Sequence, residues 1–287
     1  MRLQHEAIIF CFNDGTCLRW GNATVSFRSQ LLRNLLVAGL DLALAKRCFL
    51  GFARYRRERA RFIAAMPGAQ RPMPLGGNFP CLGDWSADGG IATGQYFHQD
   101  LLVARQIHRA SPSRHIDVGS RIDGFVAHLA AFRPVEVIDI RPLISQVPNL
   151  RFRQADMMGV LPSELIGASP SVSCLHALEH FGLGRYGDPI DVNGHLRGLA
   201  NLVAMVAPGG MLYLSVPIGP SRIEFNAHRV FALPHLVELV ASHLRVVRFS
   251  YVDDAGHLSE NVPWTGSAAA NTYGCTYGCG IIEAQRC

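Results

Sequence analysis

The chain has 287 residues, 49% of them hydrophobic and 17% charged, with a formal net charge of +5. That balance excludes a disordered, collagen-like or fibrous protein and leaves room for one large core with or without a small appendage. Eight cysteines over such a length are too sparse for a disulfide scaffold, which favours reduced thiols in a cytosolic protein.

The opening apolar run, Ala7 to Phe12, is shorter than a secretory core and ends in the turn signal Asn13-Asp14-Gly15. Residues 26–71 hold ten basic side chains against Asp41 and Glu58, so this segment balances at +8 and residues 72–287 at −3. A nucleic-acid protein spreads its positive face over the folded domain, so no nucleic-acid partner is expected. Within residues 26–65, Leu31, Leu35, Leu36 and Leu40 fall at helical spacing, and a basic helical extension is expected over 1–65. Arg33, Asp41, Lys46 and Arg47 interrupt its apolar run before a membrane span is reached. Two readings stay open for this extension: a helix docking on the main domain or a second subunit, and an interfacial helix on an anionic membrane, served by Arg54, Arg56, Arg57, Arg59 and Arg61. Residues 66–95, rich in Pro and Gly, read as a linker or strap, and 96–287 as the main domain.

From there, helical and strand patterns alternate. Phe97–Ala110 suits a helix, His115–Gly119 a short strand ending in a Gly turn, and Phe125–Phe132 a helix. Val135–Ile140, Leu150–Gln154 and Ser171–Leu175 read as strands. Leu196–Val206 reads as a helix stopped by Ala207-Pro208-Gly209-Gly210, with Met211–Val216 as the next strand. Pro234–His243 is helical, and Leu244–Val252 and Gly280–Ala284 are the last strands. Strands separated by crossover helices predict an α/β fold: a Rossmann-like, doubly wound, mostly parallel sheet of seven strands.

In such a sheet, ligands bind beyond the carboxyl ends of the strands where strand order reverses. The first strand ends in Asp117-Val118-Gly119-Ser120-Arg121-Ile122-Asp123-Gly124, and the second ends in Asp139. A nucleoside needs both parts, a turn without side-chain bulk and a carboxylate for its ribose hydroxyls. With Gln154-Ala155-Asp156, Cys174 to His180 and Pro208-Gly209-Gly210 at the later strands, the pattern resembles class I S-adenosylmethionine-dependent methyltransferases across residues 95–287. More narrowly, Tyr96-Phe97-His98-Gln99-Asp100, the Asp117–Gly124 turn, His176 to Pro189, and Phe225-Asn226-Ala227-His228-Arg229 resemble the DUF268 family.

The resemblance implies S-adenosylmethionine as cosubstrate. Asp139 would then hold the ribose, Asp117, Gly119 and Arg121 the amino-acid end, and Asp156 the adenine side. His180 or His228 would take the acceptor's proton and Glu179 would orient a His or the substrate, since imidazole titrates near neutrality. The acceptor is expected to be a small molecule or a glycan-type compound. Arg121 departs from the Gly-rich pattern: it either reaches a ligand carboxylate or blocks the pocket. Strand-end loops are also expected to bring His180, His228 and Arg229 to one pocket. His176 to His180 spells the zinc-peptidase pattern HxxEH, but that chemistry needs a helix and the motif starts at a strand end, so no metal is expected. Other readings are a non-catalytic assembly module on the same fold and a nucleotide-sugar-binding enzyme peripheral to a membrane. Cys275 and Cys279 lack a second pair at zinc-site spacing and read as buried thiols.

Overall fold

In the computed structural model, residues 10–11, 17–18, 35, 38–66, 73, 75–87, 89–90 and 92–287 are described. The chain divides into two compact units, residues 1–91 and 92–287.

In the first unit, Phe10–Cys11 pairs antiparallel with Cys17–Leu18 on either side of the expected Asn13-Asp14-Gly15 turn, which itself lies outside the described residues. Helix α1 (Leu42–Ala65) starts where the Asp41 side chain accepts from the Leu44 amide at 2.9 Å, an N-cap that satisfies a free helix-end donor. Much of the helix expected over residues 26–41 lies outside the described residues. A Cβ on Gly51 would stand 2.0 Å from the Leu82 carbonyl oxygen, so the glycine lets the following strap run against the helix. Tyr55 donates to Asn78 at 3.3 Å and the Arg54 guanidinium lies 5.0 Å over Trp85, which fastens the same strap. No helix of the described residues is long and apolar enough to cross a membrane.

The second unit is an α/β fold with a mostly parallel central sheet. Its elements are α2 (Gln95–Ala110), β1 (Ile116–Val118), a wide helical turn leading into α3 (Ala127–Ala130), β2 (Val135–Asp139), β3 (Leu150–Gln154) and β4 (Ser169–Leu175). After these come α4 (Gly194–Met205), β5 (Val206–Ile218), the hairpin β6 (Arg222–Glu224) and β7 (His228–Val230), and α5 (Leu233–Ala241). The chain ends with β8 (Arg245–Val252), β9 (Leu258–Ser259), α6 (Ser267–Ala270) and β10 (Gly278–Gln285). The main sheet runs β9-β8-β10-β5-β4-β1-β2-β3. β1 pairs in parallel with both β2 and β4, β2 with β3, and β4 with β5, while β10 runs antiparallel between β5 and β8. The seven expected strands are all there, and β9 adds a two-residue edge.

β1 is buried at every position, as a central strand covered on both faces must be. Neighbouring residues then serve opposite layers. Val137 and Ile281 pack with Leu102 and Ile107 of α2, Phe125 of the wide turn and Leu129 of α3, whereas Ile138 and Ile282 pack with Leu202, Met205, Leu236 and Val240 of α4 and α5. Each such side chain, fully buried, contributes about 1.5–3 kcal/mol. One local expectation differs. The Ala207–Gly210 stop is part of β5, because Gly209 donates to the Arg286 carbonyl at 2.8 Å and Arg286 donates back to Gly210 at 2.9 Å. The turn signal is therefore absorbed into the ladder beside β10.

Strand order reverses at β1, with β2 and β3 on one side and β4 and β5 on the other. The carboxyl ends of β1, β2 and β4 open there.

Candidate active site

β1 ends in Gly119 at φ +70°, a left-handed conformation that glycine adopts without strain. Its amide donates to the Ile138 carbonyl at 2.9 Å and so keeps the turn against β2. A Cβ at this position would come within 2.8 Å of the Ala177 Cβ. The bare turn thus leaves room between the ends of β1 and β4. A hollow open to solvent begins here, lined among others by Gly119, Asp139, Asp156, Met157, His176, His180 and Tyr186.

Asp139 closes β2 and accepts from Arg141 through the backbone amide at 2.8 Å, Nε at 3.0 Å and Nη2 at 2.7 Å. Both side chains line the hollow's mouth, with Arg141 about half exposed. Asp156 begins a turn in which its carboxylate accepts from the Met158 amide at 2.8 Å. Asn201 of α4 fixes that turn by donating to the Met157 and Gly159 carbonyls at 2.8 and 2.9 Å. Gly119, Asp139, Asp156 and His180 are therefore brought together around one hollow.

Asp117 and Arg121 are placed elsewhere. Asp117 is fully buried, and its carboxylate accepts from the Ser120 hydroxyl at 2.6 Å, the Ser120 amide at 3.1 Å and the Ser173 hydroxyl at 2.5 Å. It ties the β1 turn to β4 instead of lining the hollow, and burial pushes its pKa up to about 6 against the pull of those donors. Arg121 neither lines nor plugs the hollow. Its guanidinium makes a two-point contact with Asp123 at 3.2 Å and lies 5.0 Å over the Tyr96 ring.

After β4, Leu178–His180 forms one tight turn, not the long helix that HxxEH metal binding needs. Among the described residues no group of three or more His, Cys, Asp or Glu could hold a metal ion. Cys275 and Cys279 are free and buried. Glu179 is buried with Oε1 at 2.9 Å from His176 Nδ1 and 3.6 Å from His180 Nε2. Burial opposes charge on all three groups. For His176 the neighbouring Cys279 and Glu179 overcome it and hold the imidazole well above its ordinary pKa. For Glu179 the two histidines overcome it and keep the carboxyl low. For His180 burial wins, and the ring stays neutral more readily than free imidazole. His180 Nδ1 lies 2.6 Å from the Ala227 carbonyl, so Nδ1 carries the proton and Nε2 the lone pair.

His228 does not join His180 at the hollow. The β6–β7 hairpin puts its Nε2 at 3.2 Å from Glu224 and its Nδ1 at 3.5 Å from the Tyr277 hydroxyl. Arg229 instead braces the loop after β4, donating to the carbonyls of Phe181 at 2.6 Å, Val192 at 3.2 Å and Glu179 at 3.3 Å. Arg141, Met157 and Met158 also line the hollow, and no motif in the sequence singles them out. Arg141 was visible as a cation two residues past the strand-ending acid, but its return onto Asp139 depends on the turn.

Sheet and hollow together define an α/β protein with an open hollow at the strand-order reversal. A family model described as "Caenorhabditis protein of unknown function, DUF268" matches residues 169–257. No curated protein matches the sequence. Among solved structures, the chain is similar to the N-methyltransferase NodS from Bradyrhizobium japonicum WM9 in complex with S-adenosyl-L-homocysteine, at 14% identity and TM-score 0.45, over 67% of this chain and 88% of that one. It is also similar to 1,6-didemethyltoxoflavin-N1-methyltransferase from Burkholderia thailandensis, at 14% identity and TM-score 0.46, over 82% and 90% of the two chains. A third is CalS10, an amino pentose methyltransferase from Micromonospora echinaspora, at 16% identity and TM-score 0.43, over 67% and 92%.

Proposed function

We propose that the chain is an S-adenosylmethionine-dependent methyltransferase acting on a small-molecule acceptor. The observation that carries this reading is the hollow joining the bare Gly119 turn to the Asp139 carboxylate across adjacent parallel strands. The glycine turn fits the amino-acid end of the cosubstrate, because a side chain there would collide with Ala177. Asp139 has two carboxylate oxygens for the two ribose hydroxyls, and Asp156 with the Met157–Met158 floor suits the adenine. When bound, S-adenosylmethionine supplies a methyl group on a positively charged sulfur.

The protein's own part is alignment and proton handling. Its rigid strand ends hold the reactants in line, which is where most of the acceleration of such a transfer arises. His180, kept neutral by burial, receives the acceptor's proton on Nε2. Glu179 then stabilises the imidazolium from 3.6 Å, and the Ala227 carbonyl keeps the other nitrogen's proton in place. His176, paired to Glu179, holds that carboxylate in position.

Calorimetric titration with S-adenosylhomocysteine tests the reading. Wild-type protein is expected to bind one equivalent, and Asp139→Asn to bind about ten- to a hundredfold more weakly, the worth of a charge-assisted hydrogen bond. Folded protein that shows no binding at millimolar ligand contradicts it.

A further inference from the structure

Two arginines share the ring of Tyr186, which lines the hollow together with one of them, Arg141. The guanidinium carbons of Arg141 and Arg185 lie 4.3 and 5.2 Å from the centre of the Tyr186 ring. Arg141 is neutralised by Asp139. Arg185 is exposed, donates to the Ala227 carbonyl at 3.0 Å, and has no ion-pair partner among the described residues. The nearby acid on its own loop is already engaged: Asp188 accepts from the amides of Gly182, Gly184 and Tyr186 at 2.8, 3.1 and 3.1 Å. Those bonds, with Arg229 bracing the same loop, hold Arg185 and Tyr186 on an ordered turn beside His180.

Once ribose hydroxyls donate to Asp139, the Arg141 guanidinium gives up hydrogen bonds to that carboxylate, while Arg185 still has no ion-pair partner among the described residues. Two guanidinium groups then have donors to spare on one aromatic surface next to the base, while the loop's Asp188 carboxylate is taken up by three backbone amides. A tetrahedral anion with several acceptor oxygens, reached by both planar guanidinium forks, satisfies this arrangement. We propose that the methyl acceptor is a phosphate-bearing small molecule whose anion is gripped between Arg141 and Arg185 at the Tyr186 ring. The proposal rests on the cosubstrate reading above, and it makes Arg141 the link between the two sites: held by Asp139 in the free protein, it is released toward the acceptor when the nucleoside binds.

The test is calorimetric titration of the full chain with sodium pyrophosphate at fixed ionic strength, alone and with saturating S-adenosylhomocysteine. We expect one saturable site that tightens up to about fivefold when S-adenosylhomocysteine is present, the worth of a partly exposed ion pair already opened. Arg141→Gln and Arg185→Gln should each weaken it at least tenfold, and Arg185→Gln should leave S-adenosylhomocysteine affinity unchanged. Arg105→Gln, which removes a cation paired to the distant Glu260, should change nothing. Both tested arginines are exposed, so far-UV circular dichroism and a thermal melt suffice to verify the variants. No saturable pyrophosphate binding with S-adenosylhomocysteine bound overturns the proposal, as does binding that both variants leave intact. Binding to phosphatidate-containing vesicles but not to pyrophosphate also overturns it, in favour of a lipid headgroup. If S-adenosylhomocysteine itself fails to bind, the cosubstrate reading falls, and Arg185-dependent pyrophosphate binding to the chain alone then decides the anion site separately.

Discussion

In the proposed reading, a ligand entering the hollow meets the Asp139–Arg141 pair. Their ion pair is partly exposed and therefore worth only about 0–1 kcal/mol. Ribose hydroxyls donating to the same carboxylate, in a less solvated hollow, compete with it on favourable terms, since a hydrogen bond to a charged group contributes about 1.5–3 kcal/mol. In the proposed reading, Gly119 makes room for the ligand by lacking a side chain. Gly119→Ala forces a non-glycine residue to φ +70° and brings Cβ against Ala177, so we expect a loss of about 1–2 kcal/mol of stability and S-adenosylhomocysteine binding weakened at least tenfold. Chemical denaturation and calorimetry measure the two effects. His180 offers a third check. Burial lowers its pKa and Glu179 raises it, so its NMR titration midpoint should fall below the 6.5 of ordinary imidazole, and Glu179→Gln should lower it further. A midpoint that rises in the variant contradicts the assigned roles. At this scale the sequence made Gly119, Asp139, Asp156 and His180 legible, because each sits at a strand end whose position follows from the strand pattern. Asp117 was read in the wrong direction. It belongs to a buried polar row whose trace in the sequence is Ser169, Ser171 and Ser173 alternating along an otherwise apolar strand.

The strands were readable because β-branched and apolar runs of this length, spaced by helices, have few alternative packings. The loops were not. The segment after β4 is held by contacts between residues far apart in sequence: Arg229 reaches Glu179, Phe181 and Val192, and a Cβ on Gly198 of α4 would strike the Phe181 ring at 2.3 Å. The hairpin that carries His228 away from the hollow is likewise fixed by pairing, Arg222 with Val230 and Glu224 with His228, which no local spacing announces. Because Asp188 accepts three backbone amides, Asp188→Ala should release the loop as a unit. Hydrogen exchange at Gly182, Gly184 and Tyr186 should accelerate at least tenfold, while β1 and β2 keep their protection. Equal acceleration in the sheet would show that the loop is part of the core's own cooperative unit.

For the whole molecule, buried titratable groups set a pH dependence of stability with opposing parts. His115 lies between the Ser171 and Ser173 hydroxyls at 2.8 and 3.0 Å, and burial, helped by Arg133, pushes its pKa down to about 3. The unfolded chain binds that proton more readily, so the stability His115 gives above pH 6.5 is lost as pH falls toward 3. Asp100 and Asp117, both raised to about 6 by burial, act the other way: their stability is full below pH 3.8 and lost as pH rises through 6. Comparing His115→Gln with wild type isolates the histidine. The variant's stability deficit at pH 7 should shrink by about 2 kcal/mol at pH 5, and urea denaturation at the two pH values measures it.

The central claim is that a nucleoside spans the ends of β1 and β2. A crystal of the full chain grown or soaked with S-adenosylhomocysteine examines it most directly. The account predicts ligand density from Gly119 to Asp156, both ribose hydroxyls on the Asp139 carboxylate, and Arg141 swung off that carboxylate. Density at another edge of the sheet, or an Arg141–Asp139 pair left intact beneath bound ligand, contradicts it.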